Sequence, residues 1–577
     1  MINLSSFILG YPSDVLGYLF SINDWLKNTL PVAGYFRGIF FPALPQQTFL
    51  SIFLYTPAIL AGAAAAYNLV MLLTLIANFL AAFFVGQRLL KSKSPALITA
   101  VIYATSLFVQ WHALQNIELA MVFWLPLIIL FLINLIERPS AKGLLALSLP
   151  AAAAFMTSFY LGFFSLIPVF SIWLTVSLYK YFVTKGSRGL NILYIPVFLV
   201  LFTVLTLPST HVFFDYLGKP SVWAEYSKEN IYRSSLNDVV AYGARPWDYL
   251  MPSIYHPVFG STVRTFYQYV RENYSFQFWS TFLPERANYL TFTGMGLALY
   301  AFWTALRAWR RKTHTVSPDD FRSIGLLVAL AVIMFLVSLP AVIEIKGIHL
   351  YFPSYYLFKI FPMFRVYARA GVFVLLAVSF LAGYGLKFIL AKITKKTAAV
   401  LTAVLCGVVL FENINFPPLP VMDVGRVPQV YAWLKSQPGE LLIAEYPRDN
   451  SVVDLGGGCP SWLDPKITRD YNGAYTAFYQ TVHGKITFGT EKLSKEDRAA
   501  LGDLASVDSY RVLKKSGVNY VLVHTKDPMI GVHPFPYPQE NPLDDCWQRR
   551  IMRAPEKVYG GFTEVVGFDD GIIYRLQ

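Results

Sequence analysis

Six side chains in this 577-residue sequence are of a type and in a setting that could do chemistry. Asp14 lies in the short polar stretch Tyr11-Pro-Ser-Asp-Val-Leu-Gly-Tyr18, just ahead of a long apolar region. A carboxylate there is either simply solvated or catalytic. Asp24 follows it, but a spacing of ten residues fixes no shared face, so the two make no paired carboxylates. His112 and Glu118 stand at the edges of adjacent apolar runs, where an ionisable group beside apolar surface is costly and tends to have a purpose. The plain alternative is a snorkelling pair at the water boundary. Arg365 and Arg369 are spaced i, i+4, which puts both on one face if a helix has already begun there. Planar guanidinium forks at that depth suit a phosphate, with headgroup anchoring as the alternative. Arg245, with Asp248 and His256, sits in a loop rich in Tyr, Trp and Pro and is a weaker candidate, because polar loop residues need no special explanation.

The elements that must position these groups are membrane spans. A chain that is 55% hydrophobic and only 14% charged, with mean hydropathy +0.46, reads as a mainly α polytopic membrane protein of about 10 to 11 transmembrane helices. Apolar runs long enough to cross fall near 65 to 87, 95 to 110, 119 to 136, 143 to 158, 160 to 182, 190 to 211, 289 to 308, 323 to 343, 368 to 391 and 398 to 414. No basic n-region or small-residue cleavage site precedes the first of them, so insertion is expected to use the internal spans. The net charge of +13 would suggest a nucleic-acid partner if it lay on a soluble part, but from Phe416 onward 18 Lys and Arg face 20 Asp and Glu. The excess belongs to the membrane part, and no nucleic-acid partner is implied.

Positive charge also labels sides. Five connections, around Arg88 to Lys93, Arg138 to Lys142, Lys180 to Arg188, Arg307 to Arg322 and Lys387 to Lys396, hold 17 Lys and Arg against three acids, Glu137, Asp319 and Asp320. These are read as cytoplasmic, which turns the loops near Gln115, Ser158, 212 to 288 and 344 to 367, and the C-terminal part, outward. The apolar stretch Thr48 to Gly62 is short and interrupted by Pro57 and Gly62, so it is expected to lie in the interface rather than cross. Asp14 is then outside.

Residues 416–577 read as a small soluble α/β domain. Strands are predicted at Gly439 to Tyr446 and Val518 to His524, helices at Ser494 to Ala505 and Ser506 to Ser516, and a hairpin turning at Asp570-Gly571. Gly456-Gly-Gly458 lacks the Lys-Ser/Thr of a phosphate loop and reads as a turn. Of three cysteines, Cys406 lies in an apolar run and reads as packing; Cys459 and Cys546 could be free thiols or one disulfide.

The order of these features is familiar. Ala66-Tyr-Asn-Leu opens a span that ends in Gly86-Gln-Arg-Leu-Leu90, followed by Gln110-Trp-His-Ala-Leu-Gln-Asn-Ile-Glu118, Trp124-Leu-Pro126 and the basic return Glu137-Arg138. Later come Arg245-Pro-Trp-Asp-Tyr-Leu-Met-Pro-Ser-Ile-Tyr-His-Pro257, Phe361-Pro-Met-Phe-Arg-Val-Tyr-Ala-Arg369 and Ala382-Gly-Tyr-Gly385. The chain resembles the integral membrane glycosyltransferases of the GT-C superfamily, in particular the bacterial and archaeal branch with a C-terminal extracytoplasmic domain. That resemblance implies a GT-C-like transmembrane domain at 1–415, with external loops at 1–64 and 212–288, and an extracytoplasmic domain at 416–577. It implies a multi-pass protein of the cell membrane that moves a sugar, with inversion, from a polyprenyl-phosphate-linked donor to a lipid, glycan or protein acceptor.

By the same resemblance Asp14 is the general base on the acceptor hydroxyl or a ligand to a divalent metal, Mg or Mn. Glu118 and His112 become a second metal ligand or acceptor contacts, and Arg365, Arg369 and Arg245 the donor-phosphate contacts. Members have a transmembrane helix before the loop that bears the acid, whereas about a dozen residues precede Asp14; either the chain starts late or the helix is lost. The alternatives are a non-enzymatic transporter or flippase, or an assembly factor, for lipid-linked saccharides. No internal repeat and few intramembrane charges are visible for a transport path, and ten spans exceed what an anchor needs.

Overall fold

The computed structural model describes residues 7–9, 15, 18–19, 22–23, 48–183, 190–217, 236–274, 283–416, 421–425, 427–446, 478–489, 493–501, 503–524 and 558–577. Asp14, Asp24, Cys459, Cys546 and Gly456 to Gly458 lie outside these. The chain is a polytopic helical membrane protein with a small α/β part at its C-terminal end.

Each of the ten apolar runs is helical, though those at 95 to 110 and 119 to 136 are each broken into two helices. After strand β1 (Phe7–Leu9) come α1 (Thr48–Leu90), α2 (Lys93–Ala104), α3 (Leu107–Gln115), α4 (Ile117–Ala120), α5 (Trp124–Glu137), α6 (Ala141–Thr157), α7 (Phe159–Val183) and α8 (Leu190–Leu217). The loop beyond α8 carries α9 (Leu236–Ala241) and α10 (Gly260–Asn273), and the bundle resumes with α11 (Phe292–Arg311) and α12 (Pro318–Ser338). A hairpin of β2 (Val342–Ile345) and β3 (Ile348–Tyr351), then α13 (Pro353–Ile360), leads to α14 (Gly371–Leu390) and α15 (Lys395–Glu412). Among the described residues five helices are long and apolar enough to cross a membrane on their own, and six if α2 and α3, bent by 43°, form one broken span. That is fewer than the ten or eleven apolar runs, because several helices are short or carry charges at their ends.

α14 is the centre of the bundle. Every residue from Gly371 to Leu386 is buried, so a helix apolar on all sides is walled by α2, α11 and α12. Close approach explains the Ala382-Gly-Tyr-Gly385 stretch: a Cβ on Gly385 would collide with the Leu297 carbonyl, and one on Gly383 with Thr99 and Leu90. On the outside, α1 presents Leu69, Leu72, Leu73, Ile76 and Leu80 as an exposed stripe at helical spacing, the face a lipid would cover. Gly62 takes φ 79° and ψ 168°, so α1 is two helices meeting at that residue, whereas Pro57 is accommodated within the helix. The helix is thus broken at Gly62, within the apolar stretch that runs from Pro57 to Leu90.

The charges sort the bundle into two ends. At one, three of the basic connections meet: Lys387 pairs with Asp320 at 2.8 Å, Lys91 with Asp319 at 3.6 Å, and Lys392 donates to the Tyr300 hydroxyl at 3.0 Å. At the other, loops from distant parts of the chain are stitched together. Ala368 N–H donates to Tyr242 O at 3.0 Å, Asn288 to Ala368 O at 3.1 Å, Gln110 to Asn413 O at 2.9 Å and Ser253 to Asn415 at 2.7 Å.

The C-terminal part begins with β4 (Val421–Asp423), which pairs antiparallel with β1, so the start of the chain is tied to this region. A five-stranded sheet follows in the order β6-β5-β7-β9-β8, built from β5 (Leu442–Tyr446), β6 (Ile486–Thr487), β7 (Tyr520–His524), β8 (Phe562–Phe568) and β9 (Gly571–Leu576). β5 runs parallel to β6 and β7 and is buried from Ile443 to Tyr446, its one charged residue, Glu445, included. α16 (Gln429–Ser436), α17 (Lys495–Ala500) and α18 (Val507–Lys515) flank it, the last two capped by Ser494 and Ser506 as their sequences predict. The β8–β9 turn is Asp569-Asp570, one residue earlier than expected, with Gly571 already paired to Phe568. One sheet face holds a buried polar group: Tyr431 donates to Glu445 at 2.8 Å, His524 Nε2 lies 3.2 Å from Glu445, and His483 stacks on Tyr431. Burial and the nearby Lys485 push His483 down to about 4, Glu445 opposing them; burial would raise Glu445 itself, but the hydrogen bond to and charge of His524, with His483 and Tyr431, together hold it below its usual range.

Candidate active site

The candidate groups that are described gather at the end opposite the basic connections. Glu118 sits in the single turn α4, where the chain breaks between α3 and α5, and is 7% exposed. Its carboxylate accepts a hydrogen bond from the Tyr18 hydroxyl. Tyr18 belongs to the stretch that carries Asp14, four residues on, so Glu118 is in contact with that segment.

His112 is one turn from the end of α3. Its Nδ1 lies 2.8 Å from Phe108 O within the helix, which turns Nε2 toward Glu285 at 3.5 Å. Glu285 comes from a 3-10 turn, Leu283–Arg286, and meets the Arg369 fork, Nε to Oε2 at 2.8 Å and Nη2 to Oε1 at 2.5 Å. Arg369 also lies 4.3 Å over the Tyr160 ring and within electrostatic reach of Glu118. Burial alone would raise the Glu285 carboxyl, but the Arg369 charge and fork, with His112, outweigh it and hold Glu285 well below the usual carboxylate range. Glu118, His112, Glu285 and Arg369 therefore form one buried cluster drawn from four separate elements.

Arg365 is placed differently. The backbone enters a 3-10 turn only at Tyr367–Ala370 and the α-helix at Gly371, so Arg365 and Arg369 share no helical face. Arg365 donates its backbone N–H to the Tyr160 hydroxyl at 3.3 Å, and its guanidinium faces Asp238 at 3.9 Å and the Tyr242 ring at 5.6 Å. Its side chain is 40% exposed against 12% for Arg369, so Arg365 is the arginine of the pair that a ligand in the aqueous or headgroup layer could reach.

Arg245 is 1% exposed and serves the loop itself. Its guanidinium donates to the carbonyls of Gly243 and Ala241, and its backbone N–H to Asp248 at 2.7 Å. Asp248 also accepts from Tyr267 at 2.9 Å and pairs with Arg286 at 3.1 Å. Burial, then Arg286, push the Arg245 guanidinium down, with Asp248 opposing them. His256 accepts from the Val258 and Phe259 N–H groups and reaches Phe411 O at 2.9 Å, pinning the loop to α15. These contacts fold the outer loop onto the bundle and so place Glu285.

Sequence reasoning did not single out Glu285, Asp238, Tyr18 or Tyr160. Tyr18 closes the quoted Tyr11 to Tyr18 stretch, and the adjacent charges Glu285-Arg286 in an otherwise aromatic loop are the only local trace of their role.

A metal held by Asp14 and Glu118 would need further oxygen or nitrogen ligands. Among the described residues no group of three or more His, Cys, Asp and Glu side chains is arranged to hold one. Both acids of the cluster are already engaged, Glu118 by Tyr18 and Glu285 by Arg369, so the described groups do not by themselves fit a divalent ion.

No family model matches the sequence, and no curated protein does. Among solved structures, the chain is similar to the arabinofuranosyltransferase AftD from Mycobacteria at 13% identity and TM-score 0.47, over 92% of this chain and 35% of that one. It spans about a third of the length of that protein. It is also similar to ArnT from Cupriavidus metallidurans, solved with undecaprenyl phosphate at 13% identity and in the apo state at 15%. Each covers 99% of this chain and 94% of that one, with TM-score 0.36.

Proposed function

We propose that this protein is an integral membrane glycosyltransferase that moves a sugar from a polyprenyl-phosphate-linked donor to an acceptor hydroxyl on the extracytoplasmic side. The observation that carries the reading is the convergence of Glu118, His112, Glu285 and Arg369, with half-exposed Arg365 beside them, at one end of a membrane bundle. Buried charges there are costly, and a network of them next to the lipid boundary is what a reaction releasing a phosphate would use. The sequence resemblance to GT-C enzymes supplies the reaction class.

In this reading the acceptor oxygen bonds to the anomeric carbon from the face opposite the phosphate and gives its proton to the Asp14 carboxylate. The bond between that carbon and the phosphate oxygen breaks, and the polyprenyl phosphate leaves with the electron pair. Arg365 contacts the phosphate; Arg369, locked to Glu285, adds fixed positive potential. Glu118 holds the segment that bears Asp14 through Tyr18. The end with the basic connections faces the cytoplasm, and the C-terminal domain lies outside with the site. No step is routed through a metal.

Purified protein incubated with a panel of polyprenyl-phosphate sugars, with and without EDTA, is expected to release polyprenyl phosphate with at least one donor. Translocation of the intact lipid-linked sugar without its cleavage would point instead to a flippase.

A further inference from the structure

One exposed element takes no part in the site. β2 and β3 form an isolated ribbon closed by a two-residue turn, in which Lys346 (φ 50°) and Gly347 (φ 81°) both take positive φ, the conformation that matches strand twist. Cross-strand partners share a face and alternate residues switch it. The register pairs Ile343 with Leu350 and Ile345 with Ile348, which makes one face wholly aliphatic. The pairs Glu344 with His349 and Val342 with Tyr351 make the other, and Glu344 and His349 lie 3.6 Å apart. On the aliphatic face Ile345 is 48% exposed, Ile348 64% and Leu350 43%.

A two-stranded ribbon is marginal in water, and an aliphatic face left in water makes it more so. Something covers it. The ribbon starts four residues after the end of α12, an apolar helix that presents Val332 and Leu336 to its outside, and it returns through α13, which exposes Tyr356 and Ile360. Hydrogen bonds at its root, Phe352 N–H to Ala341 O at 3.1 Å and the Ser354 hydroxyl to Leu339 O at 2.8 Å, hold it at the level where that span ends. The ribbon is therefore rooted at the end of an apolar span, between two helices that both expose apolar side chains.

We propose that the Val342–Tyr351 hairpin lies flat in the headgroup–acyl boundary of the leaflet at the site end, its Ile343, Ile345, Ile348 and Leu350 face in the lipid. Glu344 and His349 face water, and the Lys346 side chain at the turn reaches the headgroup phosphates.

The test uses the full chain in phosphatidylcholine–phosphatidylglycerol vesicles, with Cys406, Cys459 and Cys546 replaced by Ser and a nitroxide at Ile345→Cys, Ile348→Cys, His349→Cys or, as a lipid reference, Val332→Cys. Power saturation with oxygen and with a water-soluble nickel chelate reads each site. Labels at 345 and 348 are expected to behave like that at 332, with high oxygen and low nickel accessibility, and the label at 349 to show several-fold higher nickel accessibility. High nickel accessibility on both faces would overturn the proposal, as would low accessibility to both reagents at 345 and 348, the signature of a second protein or a second copy. Should the triple cysteine replacement not yield monodisperse protein, benzoylphenylalanine in place of Ile348 or His349 in the native-cysteine chain reads the same contrast. Lipid adducts are expected only at 348; protein adducts, or none, would contradict it.

Discussion

The Glu285–Arg369 fork is the strongest single interaction at the site, and its burial makes it unforgiving. Removing one partner of a buried pair leaves an uncompensated charge and costs about 3–5 kcal/mol, whereas replacing both with apolar groups is often near neutral. Arg369→Met is therefore expected to lower the unfolding temperature of detergent-solubilised protein, and Arg369→Met combined with Glu285→Leu to recover most of that loss; additive losses would refute the coupling. Arg365→Gln should leave the unfolding temperature unchanged and raise the apparent KM for donor about tenfold, equivalent to about 1.4 kcal/mol of lost binding. An unchanged donor KM would remove Arg365 from the phosphate site. At this scale the sequence was partly legible. Glu118 and His112, noticed because ionisable groups at the edges of apolar runs are rare, and Arg369, noticed for a spacing to Arg365 that forms no helical face, lie in one cluster. Glu285 and Asp238 were not, because a loop carboxylate acquires meaning only from a partner 84 or 127 residues away, which no local pattern encodes.

Among the elements, α14 depends on what its glycines leave out. Gly385→Val would drive a side chain into the Leu297 carbonyl, backbone that cannot step aside, and is expected to cost several kcal/mol and to abolish monodisperse expression, while Gly407→Val, with open space around it, should be tolerated. The helices were legible because apolar runs of this length have few other solutions. Their breaks were less so: Gly62 interrupts its helix and Pro57 does not, a distinction made by the positive φ at Gly62. In the C-terminal sheet the buried His483 sets a pH dependence. Its folded value, about 4, lies below the ordinary 6.5, so the folded state binds the proton less readily than the unfolded one. Stability is full above pH 6.5 and declines as pH falls toward 4, with Glu445 acting in the same direction at the lower end. Thermal unfolding of His483→Gln should show a flatter pH profile in that window; an identical slope would exclude this source.

At the scale of the molecule, the bundle has two chemically distinct ends. Three of the five loops that charge counting assigned to one side, around Arg88 to Lys93, Arg307 to Arg322 and Lys387 to Lys396, meet at one end through Lys387, Asp320, Lys91 and Asp319. Which end faces the cytoplasm is a matter of the positive-inside rule. In a cysteine-free background, Ser436→Cys is expected to react with a membrane-impermeant maleimide in intact cells, and Thr313→Cys only after permeabilisation; the reverse pattern would invert the topology and remove the site from the outer face. Whether Asp14 is the base is read directly by comparing release of polyprenyl phosphate by purified wild-type protein and by Asp14→Asn under single-turnover conditions. The wild type is expected to release it, and an Asp14→Asn protein of unchanged unfolding temperature at least a hundredfold more slowly, the scale of a lost general base. Equal rates from the two proteins would contradict that role.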